Sequence, residues 1–468
     1  MLIVAAAASV AALYGVGHWI AGLSVVVLFL VWVLVKPPEG PPILGLALTF
    51  QWTQVTCGMF YTALTGDELR AFSTRWDDMM LIGLGCVLVI ALGARLGMGI
   101  GARWVTPEPA APPAMFSDRT LYAAYAGSIA ATGVMQEIAW QYPIFTQAIL
   151  ALNYSHLALT YLMLRSVAIP QFKAPLFAAV ISFEVALGFT GYFAGFREPL
   201  IMGAIIIVEI FNTRDVRHWL LMTGLFVVLT LSSVMWISVR DQYRSDFDDE
   251  LVESSRLERL ERMQTLAEGS ALTDTFRFRQ SVAELADRMW TIYYPALALD
   301  RVPAALPHTD GTIIGSALRH LVTPRFLFPN KGELPSDSEM VRRYSGVQVA
   351  GADEGTSIAF GYAAEAYVDF GVPLMFVPVL LYGIFIGIAY WSCLFVLKHR
   401  DIAVAVTCVI FWLTVYLFER SWVKTLGLNL TLLVYLGGLT FLVDRFMLAP
   451  PAEDVGDVPA GASGAHGH

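Results

Sequence analysis

A chain of 468 residues with 56% hydrophobic and only 15% charged residues, at a mean hydropathy of +0.61, is too apolar for a water-soluble domain, which carries roughly a quarter charged residues. The formal net charge of −9 leaves no broad basic face for nucleic acid. Long unbroken apolar runs without alternation exclude a closed β-barrel and point to an all-α, polytopic transmembrane helix bundle.

At about 20 apolar residues per crossing, about twelve spans are expected. They fall at 2–14, 18–35, 42–62, 79–99, 119–135, 145–165, 173–191, 197–212, 217–238, 372–397, 401–418 and 425–446. The first two are short and can join as one bent helix through Gly15 and Gly17. No Lys or Arg precedes Lys36, so the N-terminal run lacks the basic start of a signal peptide and reads as retained spans. The stretch Met135–Pro143 is polar and proline-broken, which suits a segment lying flat or re-entering. Cys57, Cys86, Cys393 and Cys408 fall in apolar runs without CxxC spacing. They read as small buried hydrophobes rather than disulfides or metal ligands.

Lys and Arg in the short loops set the orientation. Lys36, Arg103, Arg119, Arg165, Lys173, Arg214, Arg217, Lys398, Arg400 and Arg445 fall in one set of alternate loops. The opposite set holds Arg70, Arg75, Arg197, Arg420 and Lys424. The richer set faces the cytoplasm, with both termini. Without a mitochondrial or secretory signature, the expected location is a bacterial inner membrane with a periplasmic outer face. The domains are then an N-terminal bundle over 1–239, a large outer loop over 240–371, C-terminal spans over 372–446 and a disordered tail over 447–468. Within the loop, 246–301 is expected as helices resting on the membrane face with Trp290, Tyr293 and Tyr294 at headgroup level. The Pro-, Gly- and Ser-rich stretch 303–355 is expected as loop, and loops of that length are usually functional.

Several outward residues suit anion chemistry. Arg197, in GYFAGFREPLIMG, offers a planar guanidinium at a helix mouth, against the plainer reading of an arginine reaching lipid headgroups. Arg325 and Lys331, in PRFLFPNKG, are presented by a backbone stiffened at Pro324 and Pro329. Arg319, Arg342 and Arg343 are weaker candidates of the same kind. Glu365, Tyr367 and Asp369 lie in FGYAAEAYVDFG. The two carboxylates, four apart, share a helical face and suit acid–base work, with Glu365 preferred as base. A salt-bridged lip is the alternative. His320 and His308 are loop histidines able to accept a proton. Arg420 pairs with Glu419 or joins the anion site. Glu184 and Glu209 lie within spans, where carboxylates are costly and point to a proton or ion path. Glu209 can also pair with Arg214 or Arg217.

Three stretches together, GFREPL, PRFLFPNKG and EAYVDFG, resemble the Wzy-type oligosaccharide repeat-unit polymerases, as does the layout of a dozen spans with one dominant late outer loop. One departure is that no Arg-x10-Gly spacing occurs within the large loop. The resemblance implies a GT-C superfamily membrane glycosyltransferase. It would join undecaprenyl-diphosphate-linked glycan units at the periplasmic face, without metal or other cofactor, with the bilayer and a chain-length regulator as further partners. Carried onto this sequence, it implies Arg197 and Arg325 as diphosphate clamps and Glu365 as base. Lys331, Arg420, His320, Tyr367 and Asp369 would help bind substrate. An O-antigen ligase shares the architecture and donor, and a polysaccharide or lipid-linked oligosaccharide transporter is the reading from another class.

Overall fold

The computed structural model describes residues 2–36, 40–66, 75–106, 118–142, 145–169, 171–189, 195–212, 214–245, 256–268, 275–323, 328, 332–351 and 357–448. Every regular element among them is helical. Four helices are long and apolar enough to cross a membrane: Trp76–Trp104, Val216–Tyr243, Phe376–Phe395 and Trp422–Phe446. Leu2–Val16, Trp19–Leu34 and Ala174–Phe189 are shorter apolar helices. The Val216 helix turns a bare apolar face outward, with Leu220 and Phe226 each 67% exposed. Water penalises such a surface and lipid does not.

Small residues hold the middle of the bundle. Trp76–Trp104 and Phe376–Phe395 pack along their lengths through Gly93 and Gly97 on one helix and Gly383 and Gly387 on the other. A Cβ on Gly97 would lie 2.1 Å from the Ile384 carbonyl oxygen, and one on Gly387 2.1 Å from that of Ala94. Spacing small residues by four lets two backbones touch, the means by which helices associate where lipid removes the hydrophobic drive.

Polar clusters fix the remaining helices. Arg165 donates to Glu209 Oε1 from Nε at 3.2 Å and from Nη2 at 3.1 Å, and its Nη1 lies 2.6 Å from Asp401 Oδ1. The Tyr161 hydroxyl donates to the other Glu209 oxygen at 2.9 Å. Glu209 is thus bound by Arg165 rather than by Arg214 or Arg217. Asp444 accepts from the backbone N–H groups of Lys398 and His399 and lies 2.7 Å from His399 Nδ1, tying the last helix to the turn before Arg400.

Several elements differ from the sequence reading. Gly17, at φ +69°, separates Leu2–Val16 from Trp19–Leu34, so these are two helices rather than one bent one. Helix Asp118–Gln141 runs through the polar MQEIAWQ stretch instead of breaking there. The expected span 145–165 is two helices, Thr146–Asn153 and Ser155–Ala168, meeting at Tyr154. The stretch expected as loop contains helices Thr312–Val322 and Asp337–Ser345. The second opens on a capping box, with Ser336 Oγ accepting from Glu339 N–H and the Glu339 carboxylate accepting from Ser336 N–H. Arg70, the tail from Pro450, and Pro324 and Pro329 lie outside the described residues.

The segment after the Val216 helix forms Arg256–Glu268, Thr275–Met289 and Tyr293–Arg301. Trp290 is buried within the protein. Its indole stacks on Trp76 with centroids 4.4 Å apart and donates to the Val55 carbonyl at 3.2 Å. The absence of a Cβ at Gly58 makes room for that ring, since a Cβ there would come within 2.2 Å of it. All four cysteines are free thiols, two buried and two half-buried.

Candidate functional site

The short helix Tyr362–Phe370 organises the region where the sequence places its chemistry. It begins at Gly361, whose φ of +95° suits glycine, and it is buried along most of its length. Its two carboxylates do not act as a pair. Asp369, fully buried, accepts from Ile313 N–H at 3.0 Å, from Ile314 N–H at 2.9 Å and from the Thr309 hydroxyl. It therefore supplies the N-terminal cap of Thr312–Val322 from a distant part of the chain, and the positive end of that helix favours its charge. Glu365, 4% exposed, accepts from Trp422 N–H at 2.7 Å and so holds the start of Trp422–Thr431. Two residues four apart anchor two different helices. The two carboxylates, expected as one acid–base face, thus bind separate backbone groups, and Asp369's contacts lie within the fold.

Removing the cap tests its part. Asp369→Ala is expected to leave three donors without their acceptor and to destabilise the loop by about 2–3 kcal/mol. Hydrogen–deuterium exchange should then rise over 309–322 while the main helices keep their protection. Uniform exchange across the chain would show a different role.

Tyr367 is likewise engaged in the fold. Its hydroxyl donates to the Val302 carbonyl at 2.8 Å, and its ring meets His308 edge-on at 5.7 Å. His308 Nδ1 lies 3.1 Å from the Tyr367 carbonyl oxygen and 3.2 Å from that of Val368. Arg342 donates twice to the Val349 carbonyl, at 2.8 and 2.6 Å. Arg343 lies over the Tyr344 ring. His320 stands half-buried in the last turn of Thr312–Val322, beside exposed Arg319. Arg325 and Lys331 lie outside the described residues.

A mixed-charge mouth forms where the turn after Arg400–Val415 meets the start of Arg197–Glu209. Arg197 is the first residue of its helix and is exposed. Arg420 does not pair with Glu419; its guanidinium donates to the carbonyls of Leu413 at 2.8 Å and Thr414 at 3.4 Å, closing the end of the preceding helix. Both arginines act electrostatically on Tyr416 and on Glu419. Lys424 Nζ lies 2.6 Å from Asp337 Oδ2 and donates to Ser357 Oγ at 3.0 Å. Burial raises the Glu365 carboxyl from 4.5 to about 8. The Trp422 N–H opposes that rise, Asp337 and Asp369 add to it, and Lys424 again opposes it. Burial also raises Glu419, against the pull of Arg420, Arg197 and Lys424.

Among the described residues, Glu198 Oε2, Ser421 Oγ and Trp422 Nε1 are buried without a hydrogen-bond partner within the protein. The sequence singles out Arg197 and Arg420 but not Glu198 and Ser421, although each is the direct neighbour of one of those arginines. Among the described residues no group of three or more His, Cys, Asp or Glu is placed to hold a metal ion.

A family model described as a domain of unknown function (DUF8712) matches residues 119–391, more than half of the chain. The chain belongs to the DUF8712 family. The matched segment contains Glu184, Arg197, Glu365 and Asp369, while Arg420 and Lys424 follow its end. The DUF8712 match thus covers Arg197 and the loop helices but not the Arg420 side of the mouth. Comparison with curated proteins and with solved structures gives no match.

Proposed function

We propose that the chain is a multi-pass membrane glycosyltransferase that polymerises glycan units carried on a lipid diphosphate, of the Wzy-like kind. In this reading it crosses a bacterial inner membrane about twelve times, with both termini cytoplasmic and 240–371 at the periplasmic face. The observation that carries it is Arg197: exposed at the mouth, without a hydrogen bond or ion pair among the described residues, and sharing Glu419 and Tyr416 with Arg420.

The chemistry asks for these groups. The bond between the anomeric carbon and the diphosphate oxygen breaks, and negative charge grows on the leaving phosphate. Fixed guanidinium groups in a water-poor mouth stabilise that charge. The acceptor hydroxyl oxygen forms the new bond to the anomeric carbon and gives its proton to a carboxylate. Glu365, buried and bonded to Trp422, is better placed to hold the 421–422 turn than to touch substrate. Glu419, half-buried beside both arginines, is the proton acceptor in this scheme.

Arg197→Ala is expected to lower polymer formation by a hundredfold or more, on the order of the loss of one oxyanion-stabilising donor, with the protein still in the membrane. Arg197→Lys should restore little if the planar fork matters. The measurement is the glycan ladder in a strain lacking its own polymerase, complemented with this chain. A ladder restored by the wild type and cut to single repeat units on the acceptor lipid by Arg197→Ala supports polymerase activity. Deletion of the gene from its own strain that leaves long chains stranded on the carrier lipid indicates the ligase. An unchanged ladder in Arg197→Ala removes the assignment.

A further inference from the structure

The junction of helices Asp118–Gln141, Ser155–Ala168 and Ala174–Phe189 encloses a carboxyl–imidazole pair that the mouth chemistry does not use. Glu184 is 4% exposed, and its Oε2 lies 3.1 Å from His156 Nε2. Its Oε1 accepts from the Tyr125 hydroxyl; the Thr160 hydroxyl lies 3.3 Å from Oε1 and 3.0 Å from the His156 carbonyl oxygen, to which it donates. The Tyr125 ring stacks on the imidazole with centroids 5.7 Å apart. Across the imidazole, Nδ1 lies 2.8 Å from Ser128 Oγ.

Ser128 has one hydroxyl hydrogen, with the Tyr125 carbonyl at 2.7 Å and His156 Nδ1 at 2.8 Å both in reach. With that hydrogen on the carbonyl, Ser128 accepts from Nδ1–H, and one further proton between Nε2 and Glu184 Oε2 completes the group. On nitrogen it makes an imidazolium–carboxylate pair; on oxygen it makes a neutral acid–base pair. In both cases the group is neutral as a whole, which lets it lie in a low-dielectric interior.

No other counter-ion among the described residues stands within salt-bridge distance of the pair. Among the described residues His156 is the one basic group within salt-bridge distance of Glu184. On Asp118–Gln141, Arg119 and Tyr122 are exposed. On Ser155–Ala168, Tyr161 and Arg165 are committed to Glu209. The neighbouring helix Arg197–Glu209 bears its charges, Arg197, Glu198 and Glu209, at its two ends. On Arg256–Glu268, which packs on Ala174–Phe189, Arg259 acts on Tyr243, and Glu258, Glu261 and Arg262 share that charged helix.

We propose that Glu184 and His156 form a proton-binding site that holds one exchangeable proton inside the helical bundle, independently of the glycan chemistry at the mouth. Loss of that proton leaves an unbalanced carboxylate at the junction, which only movement of the three helices or entry of water can relieve. Proton occupancy is thereby coupled to how tightly they pack.

Nitrogen NMR on the full chain with labelled histidine, read alongside the infrared carboxyl bands from about pH 5 to about pH 10, tests this. His156 is assigned by the signal lost in His156→Gln, and Glu184 by the band lost in Glu184→Gln. In the wild type, Nδ1 should stay protonated while Nε2 and the Glu184 carboxyl change together in one step. In Glu184→Gln, whose amide N–H can face Nε2, that step should vanish and leave a neutral imidazole throughout. Should either variant fail to fold, Glu184→Asp supplies the assignment through a shifted rather than lost band. Separate steps for the two groups, no step in either, or a His156 step unchanged in Glu184→Gln each overturn the proposal.

Discussion

Gly97→Ala is expected to destabilise the protein by on the order of 3 kcal/mol or more, whereas Gly99→Ala in the same helix leaves it unchanged or slightly more stable. Replacing Gly by Ala in a helix interior ordinarily gains about 1 kcal/mol from propensity. At Gly99 that gain stands, because nothing lies within 4 Å of the new Cβ. At Gly97 the new Cβ would meet the Ile384 carbonyl oxygen at 2.1 Å. The obstacle is backbone, so no rotamer change relieves it, and Trp76–Trp104 must move away from Phe376–Phe395. Overpacking usually costs about 1–3 kcal/mol; here separation also costs contacts along the whole helix pair. Gly387→Ala, aimed at the Ala94 carbonyl from the other side, should behave like Gly97→Ala. Thermal unfolding of the detergent-solubilised protein, followed by size-exclusion chromatography, compares all three. Equal melting of Gly97→Ala and Gly99→Ala would show that the two helices do not approach as closely as described.

That helix pair shows what the sequence reveals and what it withholds. The apolar runs around Leu84–Ala94 and Val379–Ala389 are evident from composition, because length and hydropathy set the need for a crossing helix. Their mutual contact is not, since a glycine repeat does not state its partner. Polar side chains show the same limit more sharply. Glu365 and Asp369 are correctly seen as sharing a helix, a local fact of spacing. Their actual ligands, Trp422 N–H and the Ile313 and Ile314 N–H groups, are 57, 56 and 55 residues away. Carboxylates that look like a catalytic pair are thus helix anchors. Conversely, the capping box of Ser336 and Glu339 is wholly local, and its S-x-x-E spacing was legible within a stretch otherwise read as loop. Glu184 was recognisable as a costly buried carboxylate, but nothing in the sequence near it names His156, 28 residues earlier, as its partner. The tilt of Trp290 into the protein depended on Gly58, a residue from a different helix. Local chemistry is legible; the partner across the fold is not.

The Glu365 anchor carries a pH signature of its own. Because the folded protein raises this carboxyl from 4.5 to about 8, the folded state binds its proton more tightly than the unfolded chain. The associated stability is fully present below about pH 4.5 and is lost as pH rises through about 8. At about 1.4 kcal/mol per unit, the ceiling is on the order of 5 kcal/mol. Glu365→Gln keeps an oxygen acceptor for Trp422 N–H but cannot ionise. Its melting temperature should therefore equal or fall slightly below that of the wild type near pH 5, and exceed it at about pH 9, where the wild type must bury a charge. Glu419, also raised by burial, contributes in the same direction but to both proteins, so the difference between them isolates Glu365. Parallel melting curves for wild type and Glu365→Gln over that range would mean that the carboxyl is already ionised in the fold, and that the Trp422 N–H, not burial, governs it.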